Sequence, residues 1–111
     1  MKNNPLKLNT LQLKTLTLLQ ELARHPEYSS PEEDGTVRIT SLPHAHGDHF
    51  HLGDGMVNGA DATGLRNEIV WKALARKGLA ISSYPSSISL TPTGLEYLTG
   101  MRDAILRGSA H

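Results

Sequence analysis

Four of the six histidines fall within eight residues: His44, His46, His49 and His51, with Asp48 among them. Neutral imidazole is a common ligand for divalent transition metals, and a nearby carboxylate can complete such a set or orient a bound water. His44 and His46 alternate, as do His49 and His51, across a Gly47-Asp48 turn. Two or three imidazoles at that spacing could converge on one ion such as zinc, at ~2.0–2.1 Å. A metal site built from His44, His46, Asp48, His49 and His51 is therefore one expectation. A solvated His-rich hairpin without a ligand is the plainer one, because His-rich tracts are compositional signals. A pH-sensitive loop is a third, since free imidazole titrates near pH ~6.5.

The stretch His44-Ala45-His46-Gly47-Asp48-His49 resembles the His-x-His-x-Asp-His signature of metallo-β-lactamase-like hydrolases. The resemblance implies a ligand set for zinc, which would lower the pKa of bound water to ~7. Two facts exclude that family. Its sites need further His and Asp ligands much later, and after His51 the next histidine is His111. Its layered sheet sandwich also needs roughly twice this length, whereas the chain fits one domain of ~100–150 residues. No other constellation suggests catalysis. The serine pairs at 29–30, 82–83 and 86–87 lack a Gly-x-Ser-x-Gly context, and no Gly-x-x-x-x-Gly-Lys loop occurs. Without cysteine there is no disulfide, thiolate site or thiol nucleophile. The chain is expected not to be an enzyme.

The bulk properties narrow the partners. Eleven Lys and Arg balance eleven Asp and Glu over 111 residues, which excludes a strongly basic, non-specific nucleic-acid binder. The layout is uneven: 27–34 is acidic, whereas 66–77 and the N-terminus are basic. The Leu-rich start is interrupted by Lys7, Lys14 and several polar residues, so neither a membrane span nor a signal peptide is expected. A cytoplasmic protein with no membrane partner is the default expectation.

The spacing predicts a helix over 9–25, with Asn9 as N-cap, Gln12 completing a capping box, and Leu8 and Leu13 as a hydrophobic staple. Its core stripe is Leu11, Leu16, Leu18, Leu19, Leu22 and Ala23. Residues 26–35 read as a polar connection. Val37 and Ile39 suggest a strand at 36–41, followed by a hairpin with Phe50 and Leu52 inward and His49 and His51 outward. A second helix is predicted over 61–77, capped by Asp61 or Thr63. Ile69, Val70, Ala73 and Leu74 form its apolar face, with Glu68, Trp71, Lys72 and Ala75 opposite. Strands at 79–84 and 88–91 flank a tip at Pro85-Ser86-Ser87. Thr91 and Pro92 then start a third helix, apolar at Leu95, Leu98, Ile105 and Leu106, weakened by Gly94 and Gly100, and ended by Gly108.

The segment from Ile69 to Leu98 resembles the winged helix-turn-helix family. Leu74-Ala75-Arg76-Lys77-Gly78-Leu79 matches the end of that family's recognition helix, and Leu90-Thr91-Pro92-Thr93-Gly94 matches the close of its second wing strand. The helix expected before the recognition helix falls where Gly53, Gly55 and Gly59 make poor helix composition. The resemblance implies an α+β winged-helix domain over 1–111, with a His-rich hairpin insertion at 36–57 and a C-terminal helix at 91–108. It also implies a transcriptional regulator binding double-stranded DNA through Arg66, Asn67, Trp71, Lys72, Arg76, Ser86 and Ser87. Asn67 would pair with adenine, and Arg76 would contact phosphate or guanine. The abundance of leucine in the first and last helices suggests a homodimer. The alternatives are a winged-helix protein-interaction module anchored by Trp71, or a metal-responsive protein using the His44–His51 hairpin.

Overall fold

Asn9 starts the first helix. The computed structural model, which describes residues 4–44, 47–53 and 55–108, places α1 at Thr10–Leu22. The Asn9 side chain accepts from the Gln12 amide at 2.8 Å, and the Gln12 side chain accepts from the Asn9 amide at 3.0 Å. Leu8 is buried and Leu13 packs on the core, the expected staple pair. The helix stops three residues short of His25. Arg24 and His25 donate to the carbonyls three residues back, which tightens the last turn ahead of Pro26.

Leu16, Leu18, Leu19 and Leu22 are fully enclosed, with Thr15, Thr17 and Glu21 buried beside them. The leucines of α1 are thus used within a single core, and their number is no argument for a dimer. Buried Glu21 is held by Arg102, with Nε 2.5 Å from the carboxylate. The hydrogen bond that Arg102 donates to Glu21, then the charge of that carboxylate, raises the Arg102 pKa.

The segment expected to be a polar connection contains a strand. β1 (Ser29–Pro31) pairs antiparallel with β2 (Val37–Ile39). Three residues ending in proline carry no alternation, and Pro31 is tolerated because β1 lies at a sheet edge. The acidic run is the turn between them. The Asp34 carboxylate accepts from the Thr36 hydroxyl at 2.7 Å and the Thr36 amide at 3.1 Å, while Gly35 takes φ +90°. The Thr36 hydroxyl, then its amide, holds the Asp34 pKa below the usual 3.8. A depressed carboxylate pKa adds stability above the unfolded value, and that stability is lost as pH falls through the folded one. Asp34→Ala should therefore lower the thermal midpoint slightly at neutral pH and not at the acid end. Melts across pH below about 4 check this, and parallel curves for parent and variant would count against it.

β3 (His49–Leu52) and β4 (Gly55–Asn58) form the expected hairpin, with Phe50 and Leu52 buried and His51 exposed. The preceding strand does not belong with it. β2 joins β5 (Ala80–Ser83) and β6 (Ser87–Leu90) in a four-stranded sheet ordered β1-β2-β6-β5. The second sheet is β3-β4-β7, with β7 at Arg107–Gly108. The stretch 36–57 is therefore divided between two sheets.

The helix predicted over 61–77 is also divided. A 3₁₀ turn occupies Gly59–Asp61, and α2 runs only from Glu68 to Arg76. Gly64 between them lies so close to α1 that a Cβ there would overlap the Thr15 side chain. Neither Asp61 nor Thr63 is the cap of α2. Asn67 is, accepting from the amides of Ile69 (3.0 Å) and Val70 (3.4 Å), while Asp61 pairs with Lys14 at 2.7 Å.

The predicted third helix is two short ones, α3 (Pro92–Glu96) and α4 (Arg102–Ile105). Tyr97 is extended and Gly100 takes φ +70°, so the chain leaves the helical path between them. Thr99 is tied to Thr17 of α1 at 2.6 Å. Leu98, placed on the apolar face by spacing, is 75% exposed, whereas Ile105 is buried. Gly108 pairs with Gly55 in β7 instead of ending a helix.

One joint locks α2, β6 and α3 together. The Thr91 amide donates to the Leu79 carbonyl at 3.1 Å, and its hydroxyl donates to the Gly78 carbonyl at 2.7 Å. The same hydroxyl caps α3 by accepting from the Gly94 amide at 3.0 Å. The Gly78-Leu79 and Leu90-Thr91-x-x-Gly94 stretches are thus two sides of one contact.

Candidate nucleic-acid interface

The outward face of α2 and the β5–β6 hairpin enclose a groove of ≈ 620 Å³, lined by Glu68, Lys72, Ala75 and Arg76 on one wall and Ser82, Ser83 and Tyr84 on the other. The helix supplies its cations because 68, 72, 75 and 76 lie on one face at three- and four-residue spacing. Lys72 is paired with Glu68 at 3.2 Å, and both are exposed. Such a pair is worth only ~0–1 kcal/mol, so an incoming phosphate can draw Lys72 away. Ser82 and Ser83 were missed by sequence reasoning. The alternation of β5 carried the signal for Ser82, which shares a strand face with buried Ala80.

Trp71 is not a surface anchor. It is 2% exposed, and its indole N–H donates to the Leu65 carbonyl at 2.9 Å. Tyr84 stacks on it edge to face, with centroids 4.8 Å apart, and donates its hydroxyl to the Arg66 carbonyl at 2.9 Å. The hairpin tip is thereby clasped onto the start of α2. Ile69 takes the opposite fate: placed on the core face by spacing, it is 77% exposed.

The other residues expected to contact DNA divide as follows. Lys72 and Arg76 share the groove. Asn67 has its side-chain oxygen committed to capping. Arg66 and Ser86 are exposed on the far side of Tyr84, and Ser87 beside them is buried. Neither Lys7 nor Lys14 lines the groove. Lys14 is paired with Asp61, and Lys2 lies outside the described residues. Lys77 donates to the Leu6 carbonyl at 2.8 Å and so ties down the N-terminal segment.

His44 does not join the pair formed by His49 and His51. His49 and His51 stack edge to face at 5.3 Å, with His49 Nδ1 3.4 Å from Asp48. His44 lines a different cavity, beside Arg66. His46 lies outside the described residues. Among the described residues no three His, Asp or Glu side chains come together as a metal site. No described helix is long and apolar enough to cross a membrane.

Comparison with family models, with curated proteins and with solved structures finds no significant match.

Proposed function

We propose that this chain is a double-stranded DNA-binding module of winged-helix type acting in transcriptional regulation, with α2 as its reading helix and the β5–β6 hairpin as its wing. The observation that carries the reading is the groove itself. Two cations from one helix face two serines from one hairpin, an arrangement suited to phosphate oxygens beside a base-reading helix. The order of elements supports it, since β2 precedes α2 in sequence and pairs with β6 beyond it. Helix and hairpin are thereby set in one frame.

The contact set is small, and the zero net charge adds no long-range attraction. The proposed binding is therefore weak, with affinity falling only gradually as salt rises. Anisotropy titration of labelled mixed-sequence duplex at low salt tests it. Lys72→Ala combined with Arg76→Ala should weaken binding by about tenfold or more. Unchanged affinity in that variant means α2 is not the reader.

A protein-interaction module without DNA binding is the second reading. It is favoured by Ile69, whose side chain stands in solvent at the start of α2. Absence of any duplex binding at low salt selects it.

A further inference from the structure

The hairpin tip walls a second cavity, separate from the groove. It holds ≈ 300 Å³ between the segment after β2, the turn at Arg66 and residues 85–87. Tyr84 is the ridge between the two: it faces the groove, while Pro85 faces the cavity. Arg66, which carries a guanidinium, and His44 line this cavity together with four hydroxyl-bearing residues, Thr40, Ser41, Ser86 and Ser87. No carboxylate lines it among the described residues. Trp71 and Ile39 supply apolar wall.

We propose that this cavity binds a phosphate group. A guanidinium can grip a phosphate with two parallel N–H bonds, and hydroxyls satisfy the remaining oxygens. Among the described residues no lining carboxylate would repel a dianion. The backbone of Arg66 is anchored, because its carbonyl accepts the Tyr84 hydroxyl at 2.9 Å, so the base of the gripping side chain is fixed at the tip. The volume lies at the small end of the ~300–1,000 Å³ range of ligand pockets, enough for a phosphate and a small organic group. The phosphate can come from a free phosphate monoester or from a nucleic-acid backbone passing the hairpin tip. The site does not depend on DNA binding in the α2 groove, because it shares none of the groove's lining residues.

Trp71 is the only tryptophan and lines the cavity, so its emission reports occupancy. Inorganic phosphate and ribose 5-phosphate are titrated against a chloride control of equal ionic strength, and duplex DNA is titrated separately. The expected result is a saturable change in emission with either small phosphate and none with chloride. Arg66→Gln and Ser86→Asp should each weaken it about tenfold, while Arg76→Gln leaves it unchanged. If the small phosphates are silent but Arg66→Gln and Ser86→Asp both weaken duplex binding, the phosphate is that of a nucleic acid. The proposal is overturned if chloride reproduces the change, or if neither variant alters phosphate or duplex binding. Thermal melts establish that each variant is folded, and the two substitutions sit on separate segments, so one failing to fold leaves the other as the test.

Discussion

Gly94→Ala should cost about 3 kcal/mol or more, at the top of the range for overpacking, because the group in the way is backbone. A Cβ at position 94 would overlap the Leu79 carbonyl oxygen, and no side-chain rotation can relieve that. The same carbonyl accepts from Thr91, so moving it also strains the joint between α2, β6 and α3. For a domain of this size the thermal midpoint should fall by more than about 10 °C. Gly78→Ala is the control. Nothing lies within 4 Å of its added Cβ, but φ is +77°, so only the left-handed backbone penalty of ~1–2 kcal/mol applies. Equal urea midpoints for Gly94→Ala and the parent protein would show that the joint is not packed as described. The sequence suggested that Gly94 merely weakens a long helix; its close approach to Leu79 is a tertiary contact that no local pattern reveals.

Trp71→Ala should be as damaging, at about 3–5 kcal/mol, the usual cost of deleting a large buried aromatic. Its effects add up from three sources: the enclosed ring, the Tyr84 stack, and a Leu65 carbonyl left without its donor. Trp71→Phe keeps an aromatic ring but removes the N–H and part of the bicycle, so about 1–3 kcal/mol is expected from the orphaned carbonyl, with a smaller loss from the space left behind. Chemical denaturation measures both losses. The parent's single tryptophan should emit at the blue end of the range and shift red on unfolding. A native spectrum already at the solvent-exposed wavelength contradicts the burial and restores Trp71 as a surface anchor.

The contrast between Trp71 and Ile69 shows where sequence reasoning stops. On a helix they stand about 200° apart, on either side of the buried Val70 and Leu74, so spacing leaves open which one turns inward. Contacts from outside the helix decide it: the Leu65 carbonyl and the Tyr84 ring receive the indole. Features with local causes were legible. The Asn9–Gln12 box, the inward Phe50 and Leu52, a hairpin turning at Pro85-Ser86 and the Thr91 cap each depend on neighbours a few residues away, although Ser87, expected at the tip, belongs to β6. Features with distant causes were not. β1 is defined by its partner β2, the break at Gly64 by α1, and the break after Glu96 by Thr17 and by Tyr97, whose hydroxyl bonds the N-terminal Asn4. The candidate site follows the same rule. Lys72 and Arg76 are visible as a basic helix face, whereas Ser82, Ser83 and Tyr84 join them only through the packing of β5 against α2.

If the groove between α2 and the β5–β6 hairpin holds nucleic-acid phosphates as proposed, duplex binding must depend on salt through its two cations. Each phosphate contact releases condensed counterions, giving a slope of about −0.9 per contact in log affinity against log salt. A shallow slope of about −2 to −4 is expected for the parent, which Arg76→Ala reduces by about one unit. Binding whose slope is unchanged by Arg76→Ala, or no binding at low salt, would contradict the proposal.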